Sequence, residues 1–578
     1  MRVDELLLIR ALNASRPLYF PTYAALRVLG QHSPKAGDGL LARATLRKLS
    51  SGDSWRYRTF QMYKGTDLSN GSDQHEYRSC LAPSPTTAIA EAVILAQLSA
   101  DPLFATPPQV FSYRWPRHPR SGWSYEYFAS GYKERNSAIS SALRSDSGSV
   151  AVITDLKSFY PSVNPEALLV NFDGLLKKAS ERTRSVRDEI LNFFQQLLKA
   201  SPQGIPIGPS CGHLLGHIAL RGVDRVLHEK FGGRYFRYVD DIILVVPRQS
   251  SLTALAVLKA TVESEGLLLN EFKTATLDLH RWEGSVEAPD LQLDDSFTAF
   301  TSDLATYLAF HGDSAEELKK QFLAEGFSIP ISRLLALSRY SRFRYFLRKN
   351  GRFHAASIFL SGVKSFIARA QRLRAAYEEK LRSLMDAGNG SEPELQRWRL
   401  QRARRVVNVL FYLWTPDAWR SKMAVFDAFP ELVEQRSLAT SLSKGEVGPI
   451  LPFYGRGPAA FAEIWTESAS APASFQLPIA GFSGPEIESL VTLSLTGAIQ
   501  DIPAEITRQQ RDSRLLRLGG NDASPSRLSA DLSYEDEIES LMLRTRREEI
   551  ATLVKSRYAI QESSVLDALA LLGSEYRS

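Results

Sequence analysis

The run Arg237-Tyr238-Val239-Asp240-Asp241-Ile242-Ile243-Leu244-Val245-Val246 constrains this chain more than any other segment. Two adjacent carboxylates stand between an aromatic stretch (Tyr235, Phe236, Tyr238) and an apolar, β-branched stretch. The pattern predicts a hairpin with the acids at its turn and a buried strand on its exit side. Acids beside a buried strand are costly unless they are paired or hold a cation. An Asp-Asp pair alone is usually a solvated turn; the apolar setting makes this one informative.

A second apolar run, Ser149-Val150-Ala151-Val152-Ile153-Thr154-Asp155, also ends on a carboxylate. Asp155 in isolation reads as a strand-end or cap residue. One acid at a strand end and two at a hairpin turn can converge across a small antiparallel sheet. Asp155, Asp240 and Asp241 together form a hard-oxygen donor set suited to Mg²⁺ or Mn²⁺. Two such ions clamp the attacking and leaving oxygens of a phosphoryl transfer.

Other segments fit the same chemistry. Gln203-Gly204 opens a Gly/Pro-rich loop ahead of a helix-like run, Cys211 to Leu220; glycine allows close backbone approach to a ligand. Arg114, Arg117, Lys133 and Arg135 alternate with Tyr113, Trp115, Trp123, Tyr125, Tyr127 and Tyr132. Cations interleaved with rings suit phosphates and unstacked bases, and a solvated basic face is the rival reading for any single one of them. Lys273 reads on its own as an exposed loop lysine.

On these residues the chain resembles the reverse transcriptases. Asp155-Leu156-Lys157-Ser158-Phe159-Tyr160 is similar to that family's first catalytic motif and Pro202-Gln203-Gly204-Ile205-Pro206-Ile207-Gly208-Pro209-Ser210 to its second. Tyr238-Val239-Asp240-Asp241 and Gly266-Leu267-Leu268-Leu269-Asn270-Glu271-Phe272-Lys273-Thr274 resemble the third and fourth, in the family's order, and the likeness spans residues 86 to 290. The resemblance implies an α+β fold with right-hand-like fingers and palm, and polymerisation of deoxynucleoside triphosphates. It implies that Asp155 and Asp240 hold the metal ions, with Asp241 as a third carboxylate, and that Lys273 stands near the departing pyrophosphate. Tyr160 is then the gate beneath the incoming sugar, excluding a 2′-hydroxyl, with Gln203 and Gly204 beside the nucleotide. Arg114, Lys133 and Arg135 are candidates for gripping its triphosphate.

At 578 residues the chain is too long for one ordinary core. A hydrophobic content of 44% and a charged content of 23% are those expected of a soluble globular protein. The formal charge of +6 is compatible with a nucleic-acid partner. Two cysteines, Cys80 and Cys211, give neither a disulfide framework nor metal-ligand spacing, so a reducing cytoplasm is expected. Neither a signal peptide nor a membrane span is expected.

The expected organisation is an N-terminal segment 1–85, a catalytic region 86–290, a helical region 300–518, and a linker with a charged helix over 519–578. Helices are expected from Thr86 to Ala100, over Pro165–Ala200 and from Tyr534 to about Tyr558. The helical region reads as a bundle or α-repeat. Its basic residues, Arg344, Arg348 and Arg352 among them, are expected to bind nucleic-acid phosphates.

A reverse transcriptase followed by a long helical region is similar to the bacterial abortive-infection and defence-associated group. That likeness implies anti-phage function, synthesis primed on a protein hydroxyl and in some members independent of a template, a covalently attached single-stranded DNA product, and homo-oligomers. Tyr19, Tyr23, Tyr534, Tyr558 and Tyr576 are the candidate primers. An RNA template or non-coding RNA is a further expected partner. A retron or mobile-element enzyme with a nucleic-acid primer is one alternative; a non-catalytic nucleic-acid-binding scaffold is another.

Overall fold

The computed structural model describes residues 3–32, 39–68, 74–286, 288–336, 358–386, 393–469, 471–475, 481–500, 502, 533–542 and 545–570. The architecture is mixed α+β: small sheets lie in the N-terminal half, and the C-terminal region is all-α. The chain divides into two compact units. The first comprises Met1–Ala14, Ala36–Arg58 and Cys80–Ala288; the second comprises Ser15–Lys35, Thr59–Ser79 and Pro289–Ser578. Residues of the segment 1–85 belong to both units.

The first unit is built around a four-stranded antiparallel sheet. Strands β1 (Tyr57–Asp67) and β2 (Gln74–Pro83) form a separate hairpin, and the four-stranded sheet has the order β4-β5-β3-β6. Here β3 is Ser149–Asp155, β4 Tyr235–Tyr238, β5 Asp241–Pro247 and β6 Ala275–Leu277. Val150, Ala151 and Val152 on β3 and Ile242 to Val246 on β5 are all buried. Both faces of these central strands are covered, so their sequences read as continuous apolar runs rather than alternating ones.

Helices close over the sheet as their patterns dictate. Pro85–Ser99 starts where the Ser84 hydroxyl accepts the Thr87 N–H, and Pro165–Lys178 where Asn164 caps Glu166 and Ala167. In Arg187–Ala200, Ile190, Phe193, Phe194, Leu197 and Leu198 form one buried stripe at helical spacing. Phe193 and Phe194 are both 0% exposed; each contributes roughly 1.5–3 kcal/mol relative to an exposed ring. The first residues of the chain also belong here: Asp4 accepts the Leu41 and Ala42 N–H groups, and Asn13 donates to the Gly122 carbonyl at 2.7 Å.

Glu91, on Pro85–Ser99, accepts the Ser210 N–H at 2.9 Å and so caps the helix Ser210–Ala219. Burial pushes its carboxyl up to about 8, and the N–H groups of Ser210 and Cys211 only partly oppose this. Between the ordinary 4.5 and about 8, the folded chain keeps a proton that the unfolded chain loses, so stability falls as pH rises through that window. Glu91→Gln retains an acceptor without the titrating proton. Its unfolding free energy, from urea melts at several pH values, is expected to fall less steeply over that window, by up to about 1.4 kcal/mol per pH unit.

Among its described residues the second unit is mainly helical, with the distal part of the β1–β2 hairpin, where the Tyr63 N–H donates to the Tyr454 carbonyl. The long helices Val363–Asp386 and Pro393–Leu413 pack on each other; Val433–Lys444, Gly457–Ser468 and Gly484–Leu495 complete the bundle. The expected helix from Tyr534 to Tyr558 is two helices, Tyr534–Met542 and Arg547–Lys555. The second begins anew after Arg546, whose extended backbone ends the helical path.

A charged cluster is buried in this unit. Glu562 accepts from the Tyr23 hydroxyl at 2.8 Å and from Arg333 Nη1 at 3.1 Å, with Arg27 Nη1 3.8 Å from its other oxygen. All three charged side chains are at most 2% exposed. Burial alone would raise the Glu562 carboxyl; Arg27, Arg333 and the Tyr558 N–H outweigh it and hold it below the ordinary range.

Candidate functional site

The antiparallel register places Asp155, the last residue of β3, opposite Asp241, the first of β5. Asp240 occupies the turn between β4 and β5, and its carbonyl accepts the Leu156 N–H at 3.2 Å. The three sequence-predicted carboxylates therefore gather at one end of one strand pair. Asp155 is 5% exposed. Its Oδ2 pairs with Lys273 Nζ at 2.8 Å, and its Oδ1 is buried without a hydrogen-bond partner. Lys273 reaches this carboxylate because the Asn270 N–H donates to the Asp155 carbonyl at 2.8 Å, fastening the Lys273 segment to the strand end.

Burial and then repulsion from Asp241 push the Asp240 carboxyl well above the ordinary range, with Asp155 adding to the rise and Lys273 opposing it. The Asp241 side chain is 37% exposed and lies 3.6 Å from Arg135 Nη1. Arg135 is buried, its guanidinium over the rings of Tyr132 and Tyr238. Its charge thus faces a carboxylate and two aromatic faces.

The acid-bearing turn is held under strain. Val239 has φ 58°, which β-branched residues rarely adopt. Its N–H donates to the Ser112 hydroxyl at 2.9 Å, and its carbonyl accepts from Arg237 Nη1 at 2.7 Å. Arg237, 1% exposed, is bound in turn by both Asp224 oxygens at 2.7 Å, and Tyr235 donates to the same carboxylate at 2.6 Å. Burial opposes the Arg237 charge, but Asp224 more than restores it. Asp224 and Arg237 were not singled out from sequence; a lone charge inside an apolar strand such as Phe236-Arg237-Tyr238 was the available signal.

Gly204 and Tyr160 meet directly. Gly204 has φ +56°, and a Cβ there would lie 2.2 Å from the Tyr160 carbonyl, which accepts the Ile205 N–H at 2.8 Å. The close approach that demands glycine here is to Tyr160 within the chain. Gln203 is exposed, its carbonyl accepting the Ser201 hydroxyl. Arg114 donates to the Val110 and Pro108 carbonyls and pairs with Glu134 at 2.9 Å, bracing its own loop. Lys133 is exposed on the helix Phe128–Arg144. Arg344, Arg348 and Arg352 lie outside the described residues.

Among the candidate priming tyrosines, Tyr19, Tyr23 and Tyr534 are buried, at 1%, 0% and 3% exposure. Their hydroxyls bond to Glu488, Glu562 and Thr22 respectively. No phenol so enclosed can reach a nucleotide, which overturns these three candidates. Tyr558 is half-buried, and Tyr576 lies outside the described residues.

Among the described residues no three His, Cys, Asp or Glu side chains stand in a ready metal-binding cluster. The donor chemistry nevertheless suits a hard divalent cation: three carboxylates share a strand end, and the buried Asp155 Oδ1 has no protein donor. No helix among the described residues is long and apolar enough to cross a membrane.

No family model and no curated protein matches this chain. Among solved structures it is similar to apo telomerase from Candida tropicalis, at 11% identity over 71% of this chain and 69% of that one, with a TM-score of 0.27. At that TM-score the likeness establishes no shared fold.

Proposed function

We propose that the chain is a reverse transcriptase-like nucleotidyltransferase, with the first unit as fingers and palm. The observation that carries this reading is the opposition of Asp155 and Asp241 beside the strained Asp240 turn. A fold without use for these acids gains nothing from gathering them at one strand end, since each raises the cost of ionising the next. This favours a working site over a scaffold that only binds nucleic acid.

In this reading Asp155 and Asp240 hold Mg²⁺ or Mn²⁺, which would activate a hydroxyl nucleophile and neutralise the leaving pyrophosphate. Lys273 balances Asp155 and stands where charge develops on the departing phosphates. Arg135 offsets Asp241, so that the third carboxylate is tolerated beside the other two. Tyr160, clamped by the Gly204 loop, forms the floor against a 2′-hydroxyl. The substrates are deoxynucleoside triphosphates and the product single-stranded DNA. The helical C-terminal region takes the place of a thumb, as in the defence-associated bacterial group, and an anti-phage role, a homo-oligomer and an RNA partner belong to the same proposal. Protein priming then rests on Tyr558 or Tyr576.

The test is direct. Purified protein with labelled deoxynucleotides and Mg²⁺ or Mn²⁺ is expected to lengthen a labelled polymer, and chelation to stop it. Label that stays with the protein through denaturing electrophoresis and leaves on protease treatment marks protein priming. Absence of any incorporation, with either ion and with or without added primer and template, would falsify the proposal.

A further inference from the structure

Among the described residues three non-glycine residues have positive φ: Tyr113 (45°), Ser158 (49°) and Val239 (58°). Each is unfavourable by about 1–3 kcal/mol and persists only where surrounding contacts hold it. All three belong to one neighbourhood. Val239 precedes Asp240, and Ser158 lies two residues before Tyr160. Tyr113 stacks on His213, with ring centroids 3.8 Å apart and planes at 10°.

His213 links the last of these to the first motif. Its Nδ1 lies 3.2 Å from the Tyr160 hydroxyl. One turn further along the same helix, Gly216 makes room for the Tyr160 ring: a Cβ there would stand 3.3 Å from the hydroxyl oxygen. Tyr160 is therefore fixed at both ends, its backbone by Gly204 and Ile205 and its phenol by His213 and Gly216. Tyr113 is fixed as firmly. Its neighbour Ser112 bonds the Val239 N–H, and its other neighbour Arg114 is anchored to two carbonyls and Glu134. A continuous set of contacts runs from the acid-bearing turn through Ser112, Tyr113 and His213 to Tyr160.

We propose that His213 is the positioning residue for sugar discrimination: clamped beneath Tyr113, it holds the Tyr160 phenol so that the ring cannot yield to a 2′-hydroxyl. The inference rests on the polymerase reading above and adds a specificity determinant to it. A ring that can tilt offers a soft floor; one bonded at its far end offers a hard one. The anchored Tyr113 ring stacked on the imidazole is what keeps His213 from following the phenol.

The experiment measures kcat and KM for each deoxynucleotide and its ribonucleotide with the full chain, unaltered and as His213→Ala, His213→Gln, Tyr160→Phe and the His213→Ala/Tyr160→Phe pair. His213→Ala and Tyr160→Phe each remove the same hydrogen bond, so each is expected to raise ribonucleotide use relative to deoxynucleotide by roughly fivefold to tenfold, mainly through a lower ribonucleotide KM. The pair is expected to go no further than either alone, and His213→Gln, which retains a polar group, to recover part of the discrimination. An unchanged ratio in His213→Ala with incorporation intact overturns the inference and leaves the polymerase reading standing. So does an equal fall in kcat for both sugars, which marks general disruption. If the unaltered protein incorporates neither sugar, the polymerase reading fails and the inference with it.

Discussion

Asp240→Ala and Asp155→Ala are each expected to lower nucleotide incorporation by on the order of 1,000-fold or more, since a lost ligand removes several kcal/mol of charge stabilisation in the transition state. The fold should survive both changes. Asp155 Oδ2 has one described cation partner, Lys273, whose side chain is 38% exposed and loses little when released into water. Burial and Asp241 make the charged form of Asp240 costly, so replacing it takes an unfavourable polar group out of the fold. Two measurements separate chemistry from folding. Incorporation should vanish in both variants while their thermal melts in metal-free buffer stay at or above that of the unaltered protein. Added Mg²⁺ should raise the melting temperature of the unaltered protein and not that of either variant. Normal incorporation by a soluble Asp240→Ala protein would remove the site from the argument altogether.

The second large effect lies in the helical unit. Glu562→Ala leaves Arg27 and Arg333 buried without the carboxylate that bridges them and removes the acceptor of the Tyr23 hydroxyl. Breaking a buried pair from one side costs about 3–5 kcal/mol, because the remaining charge stays desolvated. Chemical unfolding followed by circular dichroism should show a loss of that size. Its pH dependence has a definite sign. A carboxyl held below its ordinary range stabilises the fold above the unfolded value and loses that contribution as pH falls through the folded value. The difference between the unaltered protein and Glu562→Gln should therefore shrink as the solution is acidified. A loss indistinguishable from that of an exposed glutamate would mean that the cluster is solvated.

Much of the first unit was legible because its signals are local. The helix Pro85–Ser99 carries its own cap in Ser84, and the expected insert over 165–200 appears as Pro165–Lys178, Glu181–Arg184 and Arg187–Ala200. The convergence of Asp155 with Asp240 and Asp241 was legible because two apolar runs ending in acids can pair in few registers. What holds those acids in place was not. Asp224 and Arg237 bond side chain to side chain, and His213 meets Tyr160 and Tyr113 through tertiary packing with no periodic trace. Glu91 looked like one polar position in a small-residue helix, yet it caps a helix that starts 119 residues later. Basic residues were also ambiguous: Arg114 and Arg135 look from sequence like free cations, and the fold turns them toward Glu134 and Asp241.

The Glu562 cluster has a bearing on how the protein reaches its native state. Tyr23 and Glu562 are separated by 539 positions along the chain. Arg27 is translated long before Glu562, and its buried guanidinium has no described carboxylate neighbour other than Glu562. The first unit has all of its pieces once residue 288 has emerged, so it can fold while synthesis continues. The second must keep its early helix, Phe20–His32, waiting with an unneutralised arginine until residue 562 arrives. Contacts of such long sequence separation close slowly. Maturation of the helical unit should therefore lag well behind that of the acid-bearing one, with the closing segment Ser556–Ala570 as its final step.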